Sequence, residues 1–218
     1  MIYLVIGRRE LGKTTLARYM AHAKSPRLVM DPRAQWITAK RYRRVEPERM
    51  LEDLDRREDI VVQPIELQPS VDAFASIANV YFQEDEHDER ELSVVLDEAG
   101  LYGLSSWDWM MRCSPRVRTS IILTAHRPSD ISTSIRALAD VWCIFRTTQR
   151  HDLDAIGERC GELVERHVQE LKPFEFVEWD DAKAQMTIHR NAAAWFTPDA
   201  RQLAGEVIEE KRTPRVWD

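Results

Sequence analysis

Residues 5–20 read VIGRRELGKTTLARYM, and within them Gly7-Arg8-Arg9-Glu10-Leu11-Gly12-Lys13-Thr14 fits the spacing G-x-x-x-x-G-K-[ST] without a gap. The run ahead of it, Ile2-Tyr3-Leu4-Val5-Ile6, is apolar and largely β-branched, the composition of a strand buried on both faces. Behind it, Leu16, Tyr19, Met20 and Ala23 recur at helical intervals. A strand, a glycine-bearing loop and a helix therefore follow one another. In that context the backbone N–H groups of the loop face a concavity at a helix N-terminus, where the helix dipole favours an anion. Residues Gly7 to Thr14, with Thr15, are expected to cradle the phosphates of ATP. Lys13 should reach the β- and γ-phosphates, and the Thr14 hydroxyl should ligate Mg²⁺. Glu10 sits inside this loop, so its carboxylate must point away from the phosphates.

Short apolar runs recur beyond the loop at Leu28-Val29-Met30, Ile60-Val61-Val62, 92–96, Ile121-Ile122-Leu123 and 141–145. Amphipathic stretches at 48–56, 71–82 and 152–160 lie between them. Strands alternating with helices predict an α/β fold, a mainly parallel, doubly wound sheet with helices on both faces. Near the end, 174–179 and 185–189 flank Asp181-Ala182-Lys183-Ala184 and predict a β-hairpin that closes or extends the sheet. The expected organisation is one P-loop ATPase domain over 1–218, with a core to about 156 and a helix-plus-hairpin extension over about 157–218. The charge run QEDEHDERE, 83–91, reads as a solvated loop, and 211–218 carries no periodic pattern.

Two further motifs carry chemistry. In LSVVLDEAG, 92–100, an apolar strand ends in Asp97-Glu98, which puts two carboxylates at the carboxyl edge of the sheet, where ligands of doubly wound folds bind. Asp97 is expected to hold Mg²⁺ through water, and Glu98 to act as general base on the attacking water. In SIILTAHRPSDI, 120–131, a second buried strand ends in polar residues, and His126 is placed to sense the γ-phosphate.

Composition narrows the classes. Of 218 residues, 44% are hydrophobic and 31% charged, which fits a globular protein rather than a disordered one. The net charge of −6 excludes a general basic field, so any DNA contact has to come from a local patch. The three cysteines, Cys113, Cys143 and Cys160, form no C-x-x-C pair and read as reduced packing thiols of an intracellular protein. No apolar run reaches the roughly 18 residues of a transmembrane helix, and the first residues enter a strand directly, leaving no room for a signal peptide. Trp107 and Trp109 read as core or interface residues.

The phosphate loop, LVMDPRAQW (28–36), VVLDEAG and LTAHRPSD, joined by FRTTQRHDLDAI (145–156), occur in the order found in the HerA/FtsK superfamily of P-loop ATPases, which the chain resembles over residues 1 to about 156. That group comprises ring-shaped DNA translocases, including chromosome pumps, conjugation motors and viral genome-packaging ATPases. The resemblance implies ATP hydrolysis with Mg²⁺, a hexameric ring of identical subunits and double-stranded DNA as the partner. The short chain lacks room for a large accessory domain, which favours a minimal viral packaging motor meeting capsid, portal or membrane-vertex proteins in the host cytoplasm or virion. The resemblance also implies an arginine supplied across the subunit interface, between the Asp-Glu strand and the sensor strand. Arg116 is the first choice, with Arg118 second and Arg112 in the same interval. Two departures are His126 where the family commonly has Gln and Glu10 where it commonly has Gly.

The most basic patch, Lys40-Arg41-Tyr42-Arg43-Arg44, interleaves an aromatic with cations and suits contact with a nucleic-acid backbone. Two alternatives stay open. One is a monomeric P-loop kinase of small molecules, and the other is a nucleotide-dependent phage assembly factor resembling the zonula-occludens-toxin family.

Overall fold

Ile2–Ile6 forms strand β1 and Lys13–Ala21 forms helix α1, joined by the glycine-bearing loop. The computed structural model describes residues 1–36, 43–44, 59–63, 67–83, 91–113, 118–190 and 206–208. The remaining strands are β2 (Arg27–Met30), β3 (Arg43–Arg44), β4 (Ile60–Val62), β5 (Leu92–Leu96), β6 (Thr119–Ala125), β7 (Val141–Phe145), β8 (Phe176–Asp180), β9 (Gln185–His189) and β10 (Glu206–Ile208). The remaining described helices are α2 (Leu67–Gln83), α3 (Asp108–Cys113), α4 (Thr133–Leu138), α5 (Arg150–Cys160) and α6 (Glu162–Glu170). All ten strands join one sheet in the order β10-β9-β8-β7-β1-β6-β5-β2-β4-β3. From β7 to β3 every pairing is parallel, while β7-β8, β8-β9 and β9-β10 are antiparallel. The mainly parallel α/β sheet and its hairpin are thus those the sequence pattern predicts. The hairpin strands sit at 176–180 and 185–189 and extend the sheet beyond β7.

Strand alternation sorts the core onto two faces. On one face Leu4, Ile6, Val94, Leu96, Leu123 and Ile144 meet Phe74 of α2, Ile135 of α4, Ile156 of α5 and Val164 of α6. On the other, Val5, Val29, Val61, Val95, Ile122, Cys143 and Phe145 meet Leu16 and Ala17 of α1 together with Trp36. Every residue of β5, β6 and β7 is buried, as expected for parallel strands covered on both sides. Trp107 is fully buried and packs against Phe74 at a ring distance of 5.3 Å, so it is a core residue.

The cysteines correct one expectation. Cys143 and Cys160 are buried, and burial pushes the Cys143 thiol well above its ordinary range, but Cys113 ends the short helix α3 exposed to solvent. The helix turns Met110 and Met111 inward, which leaves Arg112 and Cys113 on its solvent side. Several expectations lie outside the described residues: the helix over 48–56, the bulk of the charge run at 84–90, and the tail 211–218. Among the described residues, no helix is long and apolar enough to cross a membrane.

Candidate functional site

The parallel strands β1, β6, β5 and β2 are neighbours, so their carboxyl ends deliver four loops to one edge of the sheet. The register sets Ile6 beside Ala125 and Leu96 beside Leu123, and Gly7 N–H donates to the Ala125 carbonyl at 3.1 Å. The phosphate loop is held between close neighbours. Gly7 lies so near Phe145 that a methyl group on it would stand 2.6 Å from Phe145 Cβ. Gly12 has φ +106, a conformation open to glycine and strained for L side chains, and it launches α1. Glu10 is exposed, as its place in the loop requires, and adopts φ 64.

Lys13 is buried and points along the loop. Its ammonium donates to the Arg8 carbonyl at 3.1 Å and lies 3.4 Å from His126 Nδ1. Burial holds the ammonium below its usual pKa, and the nearby Glu98 and Asp97 carboxylates offset only part of that. An ammonium can only donate, so its approach makes Nδ1 the acceptor nitrogen and leaves the imidazole proton on Nε2. That Nε2 is 2.8 Å from Glu98 Oε2, at ion-pair distance but without hydrogen-bond alignment.

Asp97 is fixed at several atoms at once. Its Oδ1 accepts from the Thr124 hydroxyl at 2.5 Å and its Oδ2 from Trp36 Nε1 at 3.0 Å. Its backbone N–H donates to the Met30 carbonyl, and its own carbonyl accepts from the buried Tyr102 hydroxyl. Burial, and then the Asp97 and Glu98 charges, push that hydroxyl's pKa well up. Thr14 Oγ1 stands 3.4 Å from Asp97 Oδ2 and 3.0 Å from Gln35 Oε1. A hydroxyl has one hydrogen, and the shorter contact is to Gln35. Glu98 follows in the left-handed region (φ 54), its N–H bonded to Thr124 Oγ1 at 2.9 Å. Its Oε1 is 3.5 Å from the Arg33 guanidinium, so both carboxylate oxygens face nitrogen donors.

The structure therefore brings Lys13, Thr14, Asp97, Glu98 and His126 together at one edge. It adds Arg33, Gln35, Trp36 and Thr124, whose roles the sequence patterns do not single out. The three residues of 33–36 come from the loop after β2, where Asp31 accepts N–H bonds from Gln35 and Trp36 at 3.0 and 2.7 Å. Burial pushes the Asp31 carboxyl up despite those bonds. The signal available in the sequence was position: 31–36 follows a strand directly, as Asp97 and His126 do. Arg18 covers the Trp36 ring at 5.3 Å and bonds to the Gln35 carbonyl. A cavity of about 280 Å³ beside His126 is lined by Arg8, Arg9, Arg127, Gln149 and Asp152.

One hydroxyl and one carboxylate side by side suit Mg²⁺, which takes a few protein oxygens and completes its shell with phosphate and water. Among the described residues no cluster of three or more acidic, histidine or cysteine side chains could hold a metal by itself.

Not all of the other residues expected to take part are among the described ones. Arg116 is outside the described residues. Arg118 precedes β6, at the sheet edge opposite the phosphate loop, where its carbonyl accepts from Leu92 N–H at 3.1 Å. Seven strand residues, about 20 Å, separate it from its own chain's site. Lys40 and Arg41 lie outside the described residues, while the backbone of Arg43–Arg44 forms the edge strand β3.

No protein-family model and no curated protein matches the sequence. Solved structures do match in fold. The genome packaging NTPase B204 from Sulfolobus turreted icosahedral virus 2, in complex with AMPPCP, superposes with a TM-score of 0.70 at 18% identity, covering 87% of this chain and 97% of that one. The same protein in complex with ATP-gammaS gives 0.72 at 17% identity, covering 88% and 97%. B204, the DNA-packaging ATPase from Sulfolobus Turreted Icosahedral Virus, gives 0.69 at 20% identity, covering 87% and 97%. At these identities the likeness is one of fold, and the chain has the fold of these packaging NTPases over most of its length.

Proposed function

We propose that the chain is an ATP-hydrolysing motor that translocates double-stranded DNA as a homo-oligomeric, hexameric ring during packaging of a viral genome. The observation that carries this reading is the convergence of Lys13, Thr14, Asp97, Glu98 and His126 at one sheet edge. The fold shared with solved packaging NTPases supports it. The phosphate-loop N–H groups and Lys13 bind the triphosphate. Thr14 and Asp97 would hold Mg²⁺, which would supply positive charge to offset that of the phosphates. Trp36 and Thr124 fix the Asp97 carboxylate, and Thr124 fixes the Glu98 backbone. The γ-phosphate competes for His126 and Lys13, leaving the Glu98 carboxylate to take a proton from the attacking water. Arg116, or else Arg118, acts on the neighbouring subunit's nucleotide. The patch Lys40, Arg41, Arg43 and Arg44 faces DNA, and capsid, portal or membrane-vertex proteins dock the ring in host cytoplasm or virion.

The test is ATP turnover with and without duplex DNA, for the wild type and Glu98→Gln. Duplex DNA should stimulate the wild type, and Glu98→Gln should bind ATP yet turn over about a hundredfold more slowly. Turnover indifferent to DNA, with phosphate passed to a small-molecule acceptor, would establish a kinase instead. Wild-type turnover by Glu98→Gln would remove it as the base.

A further inference from the structure

We propose that Phe174 is the platform on which the base of the bound nucleotide stacks, an assignment that rests on the phosphate-site reading above. Phe174 is a large apolar side chain left 45% exposed, in the turn between α6 and β8. Its backbone has φ 66, a left-handed conformation that non-glycine residues adopt only when their surroundings enforce it. The surroundings do so here. Glu175, which is buried, donates its N–H to the Lys172 carbonyl at 3.1 Å, and its carboxylate accepts from Lys172 N–H at 2.9 Å. Arg190 stands 3.6 Å from the same carboxylate. The turn is closed from within, and its outward product is an aromatic ring.

That ring lies against the phosphate loop. A methyl group on Gly12 would stand 3.1 Å from Phe174 Cδ1. The direction is informative too. Asp97, Glu98, His126 and Arg33 follow β5, β6 and β2, on one side of β1, whereas Phe174 enters from the β7-β8 side. A triphosphate whose γ end lies toward Glu98 must run its α-phosphate, ribose and base the other way, toward Phe174. An exposed aromatic face next to an anion cradle recognises a planar, π-bearing group joined to phosphate, which is a nucleotide. The ring offers no hydrogen bond to a base edge, so discrimination follows ring area, with purines held more tightly than pyrimidines.

Calorimetric titration with ADP and with inorganic tripolyphosphate separates the base from the phosphates. Phe174→Ala should weaken ADP about 5- to 100-fold while leaving tripolyphosphate within about twofold. Phe174→Leu keeps apolar bulk over Gly12 without a π face and should show the same selective loss, whereas Phe174→Trp should bind ADP at least as well as the wild type. Equal losses for ADP and tripolyphosphate would make Phe174 a prop for Gly12 and overturn the proposal. So would unchanged ADP affinity in Phe174→Leu. A wild type that binds neither ligand would instead overturn the phosphate site itself.

Discussion

Burial lowers the Lys13 pKa from the ordinary 10.5 because desolvation outweighs the attraction of Glu98 and Asp97. The unfolded chain therefore binds the extra proton between the folded value and 10.5, and stability rises with pH through that window. Below that window the fold carries the full cost of the buried charge. Lys13→Met, similar in length and uncharged, should thus melt at a higher temperature than the wild type at pH 7, by about 2–4 °C for each kcal/mol relieved. The difference should shrink as pH approaches 10.5, and nucleotide binding should be lost. A melting scan without nucleotide checks it, and a less stable Lys13→Met would refute the sign. The site residues legible in the sequence are those inside contiguous motifs, Gly7 to Thr14, Asp97-Glu98 and His126. Arg33, Trp36 and Thr124 also lie inside quoted stretches, but their roles were not legible, because their contact with the carboxylates exists only once β2 and β6 flank β5. Phe174 escaped for the same reason, more than 150 residues along the chain from the glycine it touches.

Between α5 and α6 the chain turns at Gly161, with φ 97 and ψ 161, and a methyl group there would meet nothing within 4 Å. Any loss on substitution is then purely conformational. Gly161→Ala should destabilise the protein by about 1–3 kcal/mol without altering packing. Its melting temperature should fall by about 2–12 °C while ADP affinity stays unchanged. A shifted affinity would mean that the turn is coupled to the site. Gly7→Ala differs, because its methyl group would collide with Phe145 Cβ beneath the phosphate loop. Element types were largely readable, since buried parallel strands give unbroken apolar runs and α2 and α5 give helical spacing. Strand order was not, because alternation of strands and helices fixes a parallel sheet but leaves its permutation to packing.

Assembly is the question at the scale of the whole molecule. Arg118 stands at the edge away from its own phosphate loop, so it could reach a nucleotide only on an adjoining subunit. Arg116→Ala should leave ATP binding intact and slow hydrolysis about a thousandfold. Mixing it with Glu98→Gln should partly restore turnover, since some interfaces would pair an intact Glu98 site with an intact arginine. Co-assembled variants without rescue would take Arg116 out of the neighbouring site. The sheet order has a further consequence, in the time a chain takes to be made. β1 pairs with β6 at Ile2–Ile121 and with β7 at Tyr3–Val141, so the strand that bears the phosphate loop emerges long before either partner. It stays unpaired through synthesis of everything between, at about 5–20 residues per second, whereas β8 and β9 meet across a short turn. Closing the long loop is entropically the harder step, so when the full chain refolds the hairpin should form before the nucleotide cradle. A nascent chain stalled before β6 can own the whole phosphate-loop motif and still have nowhere to put a phosphate.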